Sequence, residues 1–336
     1  MATIRDIAKE TGLGVGTISR VLNNTGYVSQ ETREKVMDAI KKLQYAPNGV
    51  ARALAKKRTM IIGVVVHDLT NPFVPGIASG ISDEARRQGY TMMLLDTLWQ
   101  MEHELNMVVM LRQQLVDGVI LLSPANANVL KSKLSEVGLP LVVIDHGEAI
   151  GTSDITVDHY GGAMEALQWA FERGHRRIGF LAGPPGLRFS DLRLRAYLDA
   201  MNWQHIEIDT IDRHPQLPIA QADFRFDKGI SATEALLQRH PKLTCIFAAN
   251  DLSALGALHY LAEHKIAVPE EVAVIGFDDI PTASLVHPPL TTIHQPIYEM
   301  GAASARLLLE RIQGVKPLEL PEPQIFELTL IKRKSC

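Results

Sequence analysis

The chain has 336 residues, 46% hydrophobic and 21% charged, which suits a folded protein of two or three domains with a large core. No apolar run nears the ~18–20 residues of a membrane-spanning helix, and no long apolar segment follows Arg5 and Asp6, so neither a spanning helix nor a secretory leader is expected. The formal charge of −4 is uneven: residues 1–58 hold eleven Lys/Arg and five Asp/Glu, a net +6, and the remainder carries −10. A basic head on an acidic body is the footprint of a nucleic-acid binder, although a solvated charge run has the same composition.

In the head, Thr3 is a suitable N-cap for a helix over about 4–11, with Asp6 as its acidic partner. Ile7 and Ala8 face inward and Gly12 stops the helix. A second helix covers about 15–23. Its buried stripe is Ile18, Val21 and Leu22, which leaves Val15, Gly16, Thr17, Ser19, Arg20 and Asn23 outside. Ser29 caps a third helix, about 30–43, with Val36, Ile40 and Leu43 closing a small core. Two short helices joined by a Gly-containing turn form a helix-turn-helix, whose second helix enters a DNA major groove. The Arg20 fork suits a guanine edge, and Thr17 and Ser19 suit phosphates. A helical bundle without a DNA role would share the helices but not the charge.

Asn48 can cap a short helix over about 49–56, with Ala51, Leu54 and Ala55 on its apolar edge. A helix this short is unstable alone. It is expected to be a disordered linker when free and a helix when two copies pack on DNA.

From residue 61 short apolar runs alternate with helical periods. Strands are expected at Ile61–Val66, Thr91–Asp96, Gly118–Ser123, Leu139–Asp145, Arg177–Ala182, Ile206–Ile211, Cys245–Ala249 and Val272–Phe277. Helices are expected near 74–88, 102–115, 191–202, 227–239 and 252–264, with 213–226 irregular. Such alternation implies parallel sheets covered on both faces, and its length implies two lobes. Of the two cysteines, Cys245 lies in an apolar run and is expected to be a buried thiol. Cys336 is expected to fray, and no disulfide framework is expected from a pair 91 positions apart.

Ligands of open parallel sheets sit beyond the carboxyl ends of strands. Those ends carry Asp68 with Asn71-Pro72-Phe73, then Asp96, Ser123, Asp145, Gly183-Pro184 with Arg193, Asn250-Asp251 and Asp278-Asp279. Carboxylates, an amide, a guanidinium and aromatic rings suit a polyhydroxylated ligand. Asp145 and Asp278 could instead cap helices, and Arg193 could pair with Asp191 or Asp199 on its own helix.

The run Thr3 to Asn23, the Tyr45-x-Pro47-Asn48 element and the α/β body together resemble the lactose repressor / galactose repressor (LacI/GalR) family over essentially the whole chain. The resemblance implies a fold class of all-α helix-turn-helix head plus α/β body, the body a two-lobed periplasmic-binding-protein-like fold with parallel sheets. Its domains would be a DNA-binding head (1–46), a hinge helix and linker (47–59) and an effector-binding and dimerisation body (60–331). Lobe 1 would hold about 60–158 and 290–314, and lobe 2 about 159–288 and 326–331. In the family, positions matching Val15, Gly16 and Arg20 read bases, and those matching Thr17, Ser19, Tyr27, Ser29 and Thr32 hold the backbone. Gly16 departs from the larger polar residues common there, so specificity would lean on Val15 and Arg20. Thr3, Asn23, Asn48 and Ala51 complete the expected DNA-binding set, and the match of Leu54 wedges into the minor groove. Effector contacts map onto Phe73, Asp96, Asp145, Arg193, Phe224, Asn250, Asp278 and Gln295.

No phosphate loop, nucleophile elbow, H-E-x-x-H or C-x-x-C occurs, and Asp278 and Asp279 should point to opposite faces of a strand. No catalysis, cofactor or metal is expected. The expected protein is a cytoplasmic, homodimeric repressor that binds near-palindromic double-stranded DNA under control of a small effector, a sugar or sugar derivative. A phosphorylated protein co-regulator in place of the sugar, or a sugar-handling enzyme, are the alternatives. The tail from Leu328 lacks a leucine heptad, so a dimer rather than a tetramer is expected.

Overall fold

The computed structural model describes all residues except 1, 24, 46–57, 99–102, 104–105, 108–109, 112, 114–115, 124–137, 146–153, 204–216 and 316–321, and the Asn23 side chain. The hinge helix expected over about 49–56, with Asn48, Ala51 and Leu54, therefore lies outside the described residues, as does the strand expected at Ile206–Ile211. Of the helix expected over about 102–115 only scattered positions are described, and these, Met107 and Leu111 among them, are helical. Two compact units result, Met1–Thr59 and Met60–Cys336.

The first unit holds α1 (Ile4–Thr11), α2 (Val15–Asn23) and α3 (Gln30–Lys42). A reciprocal capping box starts α1: Thr3 Oγ1 accepts from Asp6 N at 3.4 Å, and Asp6 Oδ2 accepts from Thr3 N at 2.7 Å. Gly12 ends it at φ 68°, a left-handed conformation that costs glycine nothing. Ser29 caps α3 by accepting from Thr32 N at 3.3 Å. Ile7, Ile18, Val21, Val36 and Ala39 are buried at the centre, with Leu22, Ile40 and Leu43 half-buried around them.

The second unit runs β1 (Ile61–Val66), α4 (Phe73–Arg87), β2 (Thr91–Asp96), β3 (Gly118–Leu122), β4 (Leu141–Ile144), β5 (Ile155–Val157) and α5 (His159–Glu172). It continues with β6 (Ile178–Ala182), α6 (Arg188–Trp203), β7 (Ile219–Gln221), α7 (Phe226–Arg239), β8 (Cys245–Ala248) and α8 (Asp251–Glu263). β9 (Ala273–Asp278), β10 (Thr291–His294), α9 (Ile297–Ile312), β11 (Gln324–Phe326) and β12 (Thr329–Ile331) complete it. One sheet has the order β11-β5-β4-β3-β1-β2 and the other β12-β10-β9-β8-β6-β7. Every described pairing is parallel except β10 with β12. All residues of β3, β6, β8 and β9 are buried, because helices cover both faces of a parallel sheet.

Three short segments cross between the lobes, after β5, after β10 and after β11. The second crossing lies later than expected. Thr291–His294 belongs to the second lobe, in parallel register with Ile275–Asp278, and only α9 returns to the first. The third also differs, because Gln324–Phe326 pairs with β5 in the first sheet. On the first lobe α9 lies directly on α4: a Cβ added at Gly80 would strike the Tyr298 carbonyl, and one at Gly301 the Ile77 carbonyl. Buried Arg311 of α9 pairs with Asp154 at 2.7 Å, which ties that helix to the start of β5.

Other expectations need correction. The strand β7 and the start of α7 fall inside the stretch read as irregular, because a three-residue edge strand carries too little pattern to register. The helix α5, with a broad run of small and aromatic residues, is absent from the sequence expectations. Cys336 does not fray but is buried against the second-lobe core, since Ser335 is held by hydrogen bonds to Val274 and Thr291.

Candidate functional site

On the first unit, Val15, Gly16 and Arg20 are exposed along α2, and Thr17 and Ser19 are half-buried beside them. Val15 is 44% and Tyr27 93% exposed, large apolar surfaces that the small core leaves to solvent. Ser29 is exposed and Thr32 half-buried at the start of α3. A Cβ at Gly16 would meet nothing within 4 Å, so packing does not require glycine there. Thr3 is engaged in the capping box, its Oγ1 donating to Asp6 Oδ2 at 2.8 Å.

In the second unit a cleft of about 330 Å³ opens at the carboxyl ends of both sheets. The first lobe contributes His67 and Asn71 after β1, Phe73 at the head of α4, Ser123 after β3 and Asp145 after β4. The second contributes Phe189 and Arg193 of α6, Phe224 after β7, Asn250 after β8, Asp278 ending β9 and Gln295 after β10. Each sheet reverses its strand order beside these positions, β1 against β3 and β6 against β8, where crevices form in open α/β sheets.

Arg193 organises the floor. It is 2% exposed, lies 3.7 Å over the centre of the Phe277 ring, and donates to the Ala249 carbonyl and to Asp278 Oδ1 at 3.5 Å. The Arg193 Nη2 also sits 3.2 Å from His159 Nδ1. A guanidinium can only donate, so Nδ1 is the acceptor and the imidazole hydrogen is on Nε2, which faces Asp145 Oδ1 at 3.2 Å. Burial pulls the imidazole below its ordinary value, which agrees with this neutral form. His159 and Arg193 thus lie in line between Asp145 of the first lobe and Asp278 of the second, hydrogen-bonded from His159 to Asp278 and in close approach, without a hydrogen bond, between Asp145 and His159.

Gln295 Nε2 donates to Asp278 Oδ1 at 2.7 Å. Burial pushes the Asp278 carboxyl up to about 6, against Arg193 and Gln295, which favour its ionised form. Asp251, fully buried beneath, accepts from Thr292 Oγ1 at 2.6 Å and Ile280 N at 2.8 Å, and burial with Asp278 nearby pushes its carboxyl well up. Ser123, Asp145, Phe224 and Asp278 all have φ between 46° and 120°, a region L-residues rarely adopt. Such strain gathers where a backbone must aim side chains into a site. Buried Gln295 Oε1 and Arg193 Nε have no hydrogen-bond partner, which leaves an acceptor and a donor for a ligand. The rings of Phe189 and Phe224 stack at 5.5 Å and 12°, forming an apolar wall.

Of the expected effector positions, the cleft gathers Phe73, Asp145, Arg193, Phe224, Asn250, Asp278 and Gln295. Asp96 is the exception. Its carboxylate accepts from Leu69 N at 3.2 Å and Leu98 N at 2.9 Å and so braces two loops outside the cleft lining. Arg193 makes no pair with Asp191 or Asp199; it is Arg195 that lies 3.6 Å from Asp199. Asn250 caps α8 through Ser253 N at 3.0 Å and donates to the Phe224 carbonyl at 3.2 Å. Asp279 turns away from Asp278, to Arg333 at 2.7 Å and His294 at 3.0 Å. Phe189, His67 and His159 are additions to the expected set. Phe189 lies one helical turn before Arg193 and His67 directly follows β1, so the sequence carries a signal for both; His159 shows only once α5 is folded. Among the described residues no group of three His, Cys, Asp or Glu could hold a metal ion, and no helix is long and apolar enough to cross a membrane.

Known proteins share this architecture. Residues 3–48 match the family described as bacterial regulatory proteins, lacI family, and residues 168–336 match a periplasmic binding protein-like domain. The chain is 36% identical to the ribose operon repressor of Halalkalibacterium halodurans over 95% of its length and 92% of the repressor's. It is also 36% identical to the HTH-type transcriptional regulator CelR of Thermobifida fusca, over 99% of its length and 98% of the regulator's. Among solved structures, the lac repressor dimer bound to operator and the anti-inducer ONPF superposes with a TM-score of 0.86 at 29% identity, over 99% of this chain and 98% of that one.

Proposed function

The chain belongs to the lacI family of bacterial regulatory proteins, and from that premise we propose how it works as an effector-controlled, sequence-specific DNA-binding regulator. It acts as a homodimeric repressor in the cytoplasm. Each basic head reads one half-site of a near-palindromic operator, with Arg20 and Val15 on base edges and Thr17, Ser19, Tyr27, Ser29 and Thr32 along the phosphates. Asn23 and Thr3 flank that surface. Asn48 and Ala51 extend the DNA contacts, and Leu54 enters the minor groove.

The effector is a sugar or sugar derivative bound between the lobes. The observation that carries this reading is the cleft itself, where Asp278, Arg193, Asn250 and Gln295 converge opposite Asp145 beside the stacked Phe189 and Phe224 rings. Paired hydroxyls meet the carboxylates and amides, and the apolar face of the ring meets the phenyl wall. Among similar solved structures, one is a CelR–cellobiose complex and another is a LacI family regulator with bound ribose. The cleft binds without turnover.

The test is fluorescence anisotropy on labelled duplexes selected from random sequence, repeated with a panel of monosaccharides and disaccharides. The expected result is one near-palindromic sequence bound tightly and one sugar that shifts its affinity ~5–150-fold. Arg20→Ala should lose ~1–3 kcal/mol at its own base pair and relax preference there. Binding of no duplex at modest salt would overturn the reading, and response to a phosphorylated carrier protein but to no sugar would reassign the effector.

A further inference from the structure

His159 reaches toward both lobes without lining the cleft. It opens α5 directly after the first crossing: β5 ends at Val157 in the first lobe, and Asp158 caps α5 by accepting from Gly161 N at 2.8 Å. The imidazole is 2% exposed and packs against the tilted rings of Phe189 at 5.8 Å and Phe277 at 6.1 Å. Its two nitrogens serve different lobes. Nδ1 accepts from Arg193 Nη2 at 3.2 Å, within the second lobe. Nε2 faces Asp145 Oδ1 of the first lobe, also at 3.2 Å, but out of line for a hydrogen bond. A buried N–H donor is thus unmatched beside a carboxylate, a state that folded proteins rarely keep. On the reading of the cleft as an effector site, on which this rests, the geometry points to His159 as a positioning residue with two separable tasks. Nδ1 aims the Arg193 guanidinium at the effector, and the Nε2 hydrogen is the one that Asp145 accepts once the effector has turned one lobe against the other.

The first task follows from the bonds of the guanidinium. Nη1 is held by the Ala249 carbonyl and Asp278, and Nη2 by His159. The group is planar, so fixing both ends fixes the direction of Nε. Nε is buried without a partner and is the donor left for an effector hydroxyl. Loss of the Nδ1 acceptor would free Nη2 to turn, and Nε would turn with it.

The second task follows from position. Asp145 Oδ1 already accepts from Thr156 Oγ1 at 2.9 Å, and both residues belong to the first lobe. His159 lies two residues beyond β5, next to the crossing itself. Rotation of the lobes there changes the angle at which the Nε2 hydrogen meets Asp145 more than the distance. A hydrogen bond depends steeply on that angle. The bond is therefore made in one lobe orientation and not in the other, and it favours the first.

Two substitutions separate the tasks. The amide oxygen of asparagine falls near the imidazole Nδ1, and the amide nitrogen of glutamine falls near Nε2. His159→Asn therefore keeps an acceptor for Arg193 and loses the donor to Asp145, and His159→Gln does the reverse. His159→Phe keeps the ring packing and removes both. Each full-length protein is taken through a panel of monosaccharides and disaccharides, ribose and cellobiose among them. Calorimetry reads sugar affinity and anisotropy reads operator affinity, and a cooperative melt shows that each variant folds. For the sugar to which the parent responds, His159→Gln should lose affinity about tenfold or more. His159→Asn should hold sugar affinity within about threefold, yet its operator affinity should shift less than about twofold with sugar, against ~5–150-fold in the parent. His159→Phe should lose both properties. In nitrogen-15 NMR of histidine-labelled parent, the imidazole missing from the His159→Asn spectrum should carry its hydrogen on Nε2, and that hydrogen should move downfield when the sugar is added. Equal losses in the Asn and Gln variants, a Phe variant that responds like the parent, or an Nε2 hydrogen unmoved by sugar would each overturn the role of His159 alone. A parent that responds to no sugar overturns the effector reading itself and this role with it.

Discussion

Gln295 sits where one segment crosses between lobes, and the two ends of its amide differ in their surroundings. Nε2 holds Asp278, while Oε1 is buried without a partner. An effector hydroxyl that donates to Oε1 would relieve an acceptor stranded away from water, an unfavourable state of ~1–3 kcal/mol. Gln295→Ala should therefore weaken effector binding about tenfold or more by calorimetry, while effector-free operator affinity stays within twofold; equal losses in both would point to general misfolding. Two other cleft residues titrate with opposite signs. Burial holds the His67 imidazole neutral down to about 4, against an ordinary 6.5, so the unfolded chain binds the extra proton. Its contribution to stability is present above pH 6.5 and lost as pH falls through 4. The Asp278 carboxyl rises from 3.8 to about 6, so there the folded protein keeps the proton. That contribution is present below pH 3.8 and lost as pH rises through 6. Urea midpoints taken from pH 7.5 to 4 should fall less steeply on acidification in His67→Gln than in the parent, and more steeply in Asp278→Asn. Parallel slopes in all three proteins would contradict both assignments.

Among elements, the pairing of α4 with α9 is the tightest constraint on the first lobe. Backbone carbonyls of Ile77 and Tyr298 occupy the space a side chain would need at Gly301 and Gly80. These atoms belong to helices and cannot swing aside as a flexible side chain would. Gly301→Ala should destabilise the body by ~1–3 kcal/mol, read as a melting temperature several degrees lower. A neutral result would mean that the two helices can part without loss. The three-helix head behaves differently. Its caps satisfy the ends of α1 and α3 through side chains three residues apart, so each helix is locally encoded and the small core needs only to orient them.

For the molecule as a whole, charge is segregated between head and body, with +6 on residues 1–58 and −10 on the rest. Operator affinity should carry the salt dependence of phosphate neutralisation, falling about a thousandfold or more between 50 and 200 mM salt if a dimer meets six or more phosphates. Affinity for an uncharged sugar should change little over the same range. A flat operator titration would remove the electrostatic role of the head. Asp145, His159, Arg193 and Asp278 lie in line between the lobes, so a ligand that competes for any of them alters how one lobe is held against the other. That is the differential contact a coupling of cleft to operator requires.

Much of this protein was legible in the chain alone. The Thr3–Asp6 box, the Gly12 stop, the buried stripe of α2 and most strands of the body follow from interactions spanning a few residues, where spacing is enough. So did most of the cleft, because strand ends in parallel sheets point the same way and Asp145, Asn250 and Asp278 each end a strand. What stayed hidden depends on partners brought from far away. Asp96 ends a strand as Asp145 does, yet β2 lies at the sheet edge, and its carboxylate serves two nearby loops instead of the cleft. Arg193 has acids on its own helix, yet its bonds go to Ala249 and Asp278, far along the chain. Cys336 is buried because β9 and β10 receive Ser335. Each of these turns on strand order and register, and no local pattern of residues carries that information.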